Sequence, residues 1–290
     1  MGDYIIDVKN LSFKYNNSQE FALEDISFEI KKGEFVGLVG LNGSGKSTLC
    51  YALSGLVPNY FIGSVTGRII VNGKDTQNSS LGELSQSIGI VFQNPFNQIT
   101  YSKETVEEEL AFGLENHGIN RLEMRKKVQD VSRKMNLEDI LQSNPTELSG
   151  GQVQRVALAS VLILEPSIII LDECTSQLDP ASAKEIFLVI DELKKKGTTV
   201  VMVDHDHTRL VKYSDRILCL DNKRLIFDGT PEEAFINNPK VTNKIGELEY
   251  TQIINEINKK YDINFKSYLK ANDIIREIGG GYYKNKSEGC

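Results

Sequence analysis

Cysteine is scarce in this chain: four residues, Cys50, Cys174, Cys219 and Cys290, none adjacent to another in sequence. That spacing excludes a disulfide framework and a clustered zinc site, and it suits a reducing compartment. Long apolar runs are missing too. Nowhere do roughly 18 apolar residues follow one another, so the chain is not expected to cross a bilayer by itself. Met1–Asp7 carries acidic residues and no apolar core of a secretory signal. Nor is positive charge in excess. The 33 Lys and Arg against 40 Asp and Glu leave a net charge of −7, which argues against nucleic acid as the main partner, because phosphate backbones need a basic face. No internal repeat is visible. What remains, 290 residues of which 40% are hydrophobic and 25% charged, is the composition of a folded α/β domain with a smaller appendage.

Short strands are expected at Tyr4–Val8, Ile26–Ile30 and Glu34–Val39. Two more, Arg68–Val71 and Ile88–Phe92, flank the turn signal Asn72-Gly73-Lys74. Helical periodicity follows Gly45, with Leu49, Ala52 and Leu53 on one side. It returns through residues 104–142 and again from Ser149-Gly150-Gly151 to Leu164, where Pro166 ends it. Strand Ile168–Leu171, helix Ala181–Lys195 and strands Thr199–Val203 and Arg216–Leu220 complete a βα alternation, the pattern of a parallel sheet covered by helices. Gly229-Thr230-Pro231 marks a boundary. Past Pro239 the chain turns polar, with an amphipathic helix through Tyr250, Ile253, Ile254, Ile257 and Tyr261 and a frayed end from Gly279. The expected division is therefore 1–238 and 239–290.

Gly40-Leu41-Asn42-Gly43-Ser44-Gly45-Lys46-Ser47, with Thr48 next, matches G-x-x-x-x-G-K-[ST] at every fixed position, between a hydrophobic strand and a helix. Glycines let backbone N–H groups wrap a phosphate, and the helix start adds positive potential. Lys46 would reach the β- and γ-phosphates, and Ser47 would give an oxygen to Mg²⁺. The apolar strand Ile168–Leu171 ends in Asp172-Glu173. At such a strand tip Asp172 can hold Mg²⁺ while Glu173 deprotonates a water. An exposed Asp-Glu turn has the same two letters, so the phosphate loop is what turns this pair into a candidate site.

Between these motifs stands Leu148-Ser149-Gly150-Gly151-Gln152. The order of the three resembles the ATP-binding cassette (ABC) ATPases, a P-loop NTPase fold with a mixed sheet, an antiparallel β subdomain and a helical insert, here about 94–165. The resemblance implies ATP held between two cassettes paired head to tail, the phosphate loop of one facing Ser149, Gly150, Gly151 and Gln152 of the other. Ser149 and Gln152 also have the spacing of a helix capping box. The resemblance further gives Tyr15 an adenine-stacking role, Gln93 a place on Mg²⁺ or the attacking water, Asp179 a position crossing the dimer seam, and His205 contact with the γ-phosphate. The alternatives are a core tyrosine for Tyr15, a strand-end amide for Gln93 and, compatibly with the seam position, a helix cap for Asp179. His117 and His207 hold no motif position and are expected at the surface.

Two positions depart from the family: Cys174 stands where proline is usual, and Asp204 where threonine usually precedes the histidine. Neither removes a reacting atom, so an active ATPase is expected. Cys174 beside the candidate base suggests sensitivity to oxidants.

Within the family, Phe92-Gln93-Asn94-Pro95-Phe96-Asn97-Gln98, the run Thr105–Asn116, Leu53-Ser54-Gly55-Leu56-Val57-Pro58 and Asp228–Phe235 are similar to the ATPase of energy-coupling factor (ECF) transporters. That implies a second ABC ATPase as partner, a transmembrane scaffold, a substrate-binding membrane component for a vitamin or transition metal, and a peripheral place on the cytoplasmic side of the membrane. Other importer cassettes, or an ABC ATPase acting on nucleic acid or ribosomes, are the alternatives.

Overall fold

The computed structural model describes residues 4–176 and 178–262, with 265 and 269 as isolated positions. The expectation of a frayed end from Gly279 lies outside them, as does Cys290.

Ten strands occur among the described residues: β1 Tyr4–Tyr15, β2 Leu23–Lys31, β3 Phe35–Gly40, β4 Gly63–Val71, β5 Lys74–Asp75, β6 Ile88–Val91, β7 Ile168–Asp172, β8 Thr199–Val203, β9 Arg216–Asp221 and β10 Arg224–Gly229. They form an antiparallel sheet in the order β2-β1-β4-β5 and a six-stranded sheet in the order β10-β9-β3-β8-β7-β6. In the second sheet only β10 runs antiparallel to its neighbour.

The six-stranded sheet is buried on both faces, which is why its strands read as unbroken apolar runs and not as alternations. Along β3 and β7, Phe35, Val39, Ile169 and Leu171 face one cluster, shared with the helical insert and with helix Pro180–Lys195. Val36, Leu38, Ile168 and Ile170 face the other, shared with β1, β2 and helix Lys46–Leu53. Each fully covered Leu or Ile contributes about 1.5–3 kcal/mol, so the strand ends that carry the site are anchored from both sides. The insert between β6 and β7 holds helices Val106–Asn116, Arg121–Lys134 and Gly150–Leu162.

Two expectations need correction, and one strand was not foreseen. Asn72-Gly73 does turn, with φ of 49° and 77°, yet it joins β4 to the two-residue β5 and not to β6; β6 belongs to the other sheet, beside β7. The strand β10 had no clear apolar signal, because it alternates exposed and half-buried residues at a sheet edge. Its hairpin turn, Asn222-Lys223, takes two left-handed residues without a glycine. His207 is not a surface residue: it is half-buried, with its ring 5.7 Å from that of Phe235.

Beyond β10, Phe235, Val241 and Leu248 are buried in the same cluster as Phe35. In helix Glu249–Tyr261 only part of the expected stripe is covered: Ile254 is buried, while Ile253 and Tyr261 are exposed. Among the described residues no helix is long and apolar enough to cross a membrane.

Candidate active site

The loop after β3 turns on glycines that nothing else could replace cheaply. Gly40 has φ 151°, and a Cβ there would press on the Leu220 carbonyl and lie 2.7 Å from Ser44 Oγ. Gly45, at φ 106°, caps helix Lys46–Leu53 without a side-chain bond, so the first N–H groups of that helix have no cap. No acidic residue lies in the first turn. This leaves a positive helix end open to an anion. Lys46 folds back on the loop, donating to the carbonyls of Gly40 at 2.9 Å and Leu41 at 3.1 Å. A phosphate would offer its ammonium stronger, charged acceptors.

The loop borders a cavity of about 500 Å³. Asn42, Gly43, Gly45, Lys46, Ser47 and Thr48 line it on one side, and Gln93, Glu173 and His205 on the other. Four separate chain segments thus meet there. Asp172, at the tip of β7, is fully buried, and neither carboxylate oxygen has a hydrogen-bond partner. Burial pushes its carboxyl above the usual range, and neighbouring charges act in both directions, Glu173 raising it and Lys46 lowering it. A second buried orphan, Ser44 Oγ, sits in the loop itself.

Unpaired buried oxygens of this kind fit a ligand. The Ser47 hydroxyl, the Gln93 amide and the Asp172 carboxylate form an oxygen donor set of the kind Mg²⁺ takes. Among the described residues there is no cluster of three His, Cys, Asp or Glu that could cage a metal. A cation here would complete its shell with phosphate oxygens and water, as Mg²⁺ commonly does.

Glu173 follows Asp172 in a left-handed turn, φ 52°. Left-handed backbone is unfavourable for a residue with a Cβ, and it swings the side chain into the cavity, away from Asp172. Its backbone N–H donates to the Val203 carbonyl at 3.0 Å. Its Oε2 accepts from Gln93 Nε2 at 2.5 Å and lies 3.0 Å from His205 Nε2. The glutamate is nearly buried, whereas the His205 side chain is 59% exposed. A buried carboxylate held by an amide and an imidazole, beside an anion cradle, can take a proton from a water once the cradle is filled.

Other expected residues stand elsewhere. Ser149, Gly150, Gly151, Gln152 and Asp179 are not among the residues lining this cavity. Ser149 and Gln152 form the capping box of helix Gly150–Leu162. Asp179 caps helix Pro180–Lys195, accepting from the N–H groups of Ala181 and Ser182; the Ser182 hydroxyl holds its carboxyl below the usual range. Tyr15 is not in the lining either. Its hydroxyl meets Thr48 Oγ1 at 3.1 Å, and its ring packs edge-on against Phe13.

The aromatic that lines the cavity is Phe21, nearly half exposed. Lys223 lines it as well and donates to the Gly43 carbonyl. The sequence signalled neither residue, since both lie outside the motifs, one in a loop and one in the β9–β10 turn.

Cys174 is fully buried, and burial pushes its thiol up, with Asp204 adding to the effect. The oxidant sensitivity expected from its place beside Glu173 is not supported, because a buried, protonated thiol is a poor nucleophile. Peroxide is expected to leave phosphate release unchanged to within about twofold; a larger loss, absent in Cys174→Ser, would contradict this.

The model of the ABC transporter family matches residues 23–176. A relative from Pyrococcus abyssi named as an ABC transporter ATP-binding protein is 41% identical over 276 residues, covering 94% of this chain and 98% of that protein. The energy-coupling factor transporter ATP-binding protein EcfA1 of Ligilactobacillus salivarius is 40% identical over 258 residues, 88% of this chain and 89% of its own. Among solved structures, cbiO1 from Clostridium perfringens, part of the ABC transporter complex cbiONQ, superposes with TM-score 0.72 at 33% identity, over 90% of this chain and 100% of that one.

Proposed function

Because this chain belongs to the ABC transporter family and is an ATP hydrolase of a transporter, we propose that it powers an importer of the energy-coupling factor type. What supports the reading most is the meeting of Lys46, Gln93, Glu173 and His205 around one cavity, while Ser149 and Asp179 stay outside it. A site of that kind is finished by a second ATPase, whose own signature would close over the bound nucleotide. The names of EcfA1 and of cbiO1 in its complex point to the energy-coupling factor subgroup.

In this reading the loop amides and Lys46 bind the phosphate chain of ATP. Glu173 accepts a proton from the attacking water as the water oxygen bonds to the γ-phosphorus and the bond from that phosphorus to the β–γ bridging oxygen breaks, with ADP as the leaving group, while Gln93 and His205 hold the base and the water in line. Ser47, Asp172 and Gln93 would hold Mg²⁺, which when bound neutralises charge on the phosphate oxygens. Tyr15 or Phe21 would take the adenine. ATP draws the two cassettes together and hydrolysis releases them, a two-state element biased by the γ-phosphate. The insert after Gln93 would pass this motion to a transmembrane scaffold, and a separate membrane component would bind the vitamin or transition metal ion. The chain would then sit peripherally on the cytoplasmic face.

Affinity purification of the chain from detergent-solubilised membranes, with identification of what accompanies it, tests this. A scaffold and a small substrate-binding integral protein are expected. Recovery of ribosomes or nucleic acid, with no integral protein, would overturn it.

A further inference from the structure

We propose that Asp204 is a positioning residue that sets His205 against Glu173, and that Thr175 is its counterpart on the strand β7 side. The side chain of His205 is mostly exposed, so packing alone does not hold it; its place is set by the backbone of the turn from which it projects. That turn is tied down by one carboxylate. Asp204 is buried, 7% exposed. Its Oδ1 accepts the N–H of Asp206 at 2.7 Å, closing the turn around His205. Its Oδ2 accepts the hydroxyl of Thr175 at 2.5 Å.

Thr175 is two residues past Glu173. The 173–175 and 203–206 segments are therefore joined three times: Glu173 N–H to Val203 O, Thr175 hydroxyl to Asp204, and His205 to Glu173. The first two bonds fix the spacing that the third needs. A threonine at 204, usual in the family, would bring one oxygen where the carboxylate brings two acceptors. The departure at this position thus becomes a more rigid mounting for the histidine.

The inference rests on the reading that Glu173 and His205 act in hydrolysis. The experiment measures kcat and KM for ATP with the full-length chain, for Asp204→Ala, Asp204→Asn and Thr175→Val, each in the wild-type and the His205→Ala backgrounds. Removing both acceptors in Asp204→Ala is expected to lower kcat about tenfold or more while KM stays within about twofold. Thr175→Val breaks one bond and is expected to lower kcat about threefold. Asp204→Asn keeps one acceptor and turns a donor toward the threonine hydroxyl, so it should retain turnover to within about threefold.

In the His205→Ala background the Asp204 and Thr175 substitutions should each add less than about a twofold loss, because they act through a side chain already gone. An unchanged kcat in Asp204→Ala, or an equal loss in both backgrounds, overturns the proposal. Should Asp204→Ala fail to fold, Thr175→Val in the two backgrounds carries the same contrast, with Asp204→Asn as the conservative control. If Glu173→Gln and His205→Ala lower turnover and Asp204→Ala leaves kcat unchanged, this inference alone fails. If Glu173→Gln and His205→Ala also leave turnover intact, the reading beneath it fails as well.

Discussion

Replacing Glu173 by glutamine is expected to cut ATP turnover by about 10²–10⁴-fold, the usual contribution of a positioned general base. Glutamine has almost the same shape, and its amide oxygen can still accept from Gln93 and His205, so the cavity should keep its form. What is lost is the negative charge that receives the proton. ATP affinity should therefore hold, and ATP should accumulate in a closed pair of cassettes. Phosphate release and size-exclusion chromatography with and without ATP check both halves of this. If wild type already forms a persistent ATP-bound pair and releases no phosphate, the chain is a silent partner in a heterodimer. If the variant turns over at the wild-type rate, Glu173 is not the base.

The same position carries a second cost. With φ of 52°, Glu173 holds a backbone conformation that disfavours a side chain by about 1–3 kcal/mol. A glycine there would relieve the strain and raise folding stability while removing the base. Stability and activity would move in opposite directions, as at other sites where strain serves function.

How much of this was legible in the sequence depends on the length scale of each signal. The phosphate loop, Asp172, Glu173 and the capping box at Ser149 were legible because each is a local device: a run of glycines, an apolar strand tip, a four-residue spacing. The buried sheet was legible because parallel strands covered on both faces need long β-branched runs, as in Ile168-Ile169-Ile170-Leu171. Phe21 and Lys223 were not, since what brings them to the cavity is the approach of the start of β2 to the β9–β10 hairpin turn, where Glu24 N–H donates to the Lys223 carbonyl, with no spacing of their own. The bond from Asp204 to Thr175 was hidden for the same reason. Asp204 could be seen as a departure, but its partner stands in the turn that follows a different strand, and only the β7–β8 register brings the two strand ends side by side. Cys174 misled because adjacency to Glu173 in sequence says nothing of burial.

Exchanging Gly45 for alanine is expected to do far more damage than the same change at its loop neighbour Gly43, which serves as the control. Both glycines are left-handed, at φ 106° and 75°. At Gly43 a Cβ would meet nothing within 4 Å, so alanine there adds only the conformational penalty, about 1–2 kcal/mol. At Gly45 the same atom would lie 2.6 Å from the Ala22 carbonyl oxygen and 3.0 Å from a Leu23 methyl. The carbonyl is backbone at the start of β2 and cannot rotate aside, so the loop must shift instead. A forced shift of packed backbone adds about 1–3 kcal/mol to the same penalty. Because Gly45 also caps the helix whose free N–H groups face the cavity, that shift re-aims the anion cradle as well. Gly45→Ala should therefore lose ATP affinity by more than about 100-fold and lower the urea midpoint, whereas Gly43→Ala should weaken binding by less than about tenfold. Equal losses for the two alanines, in nucleotide titration and in urea unfolding alike, would mean that conformational freedom alone, and not the approach of Ala22, is what the loop requires.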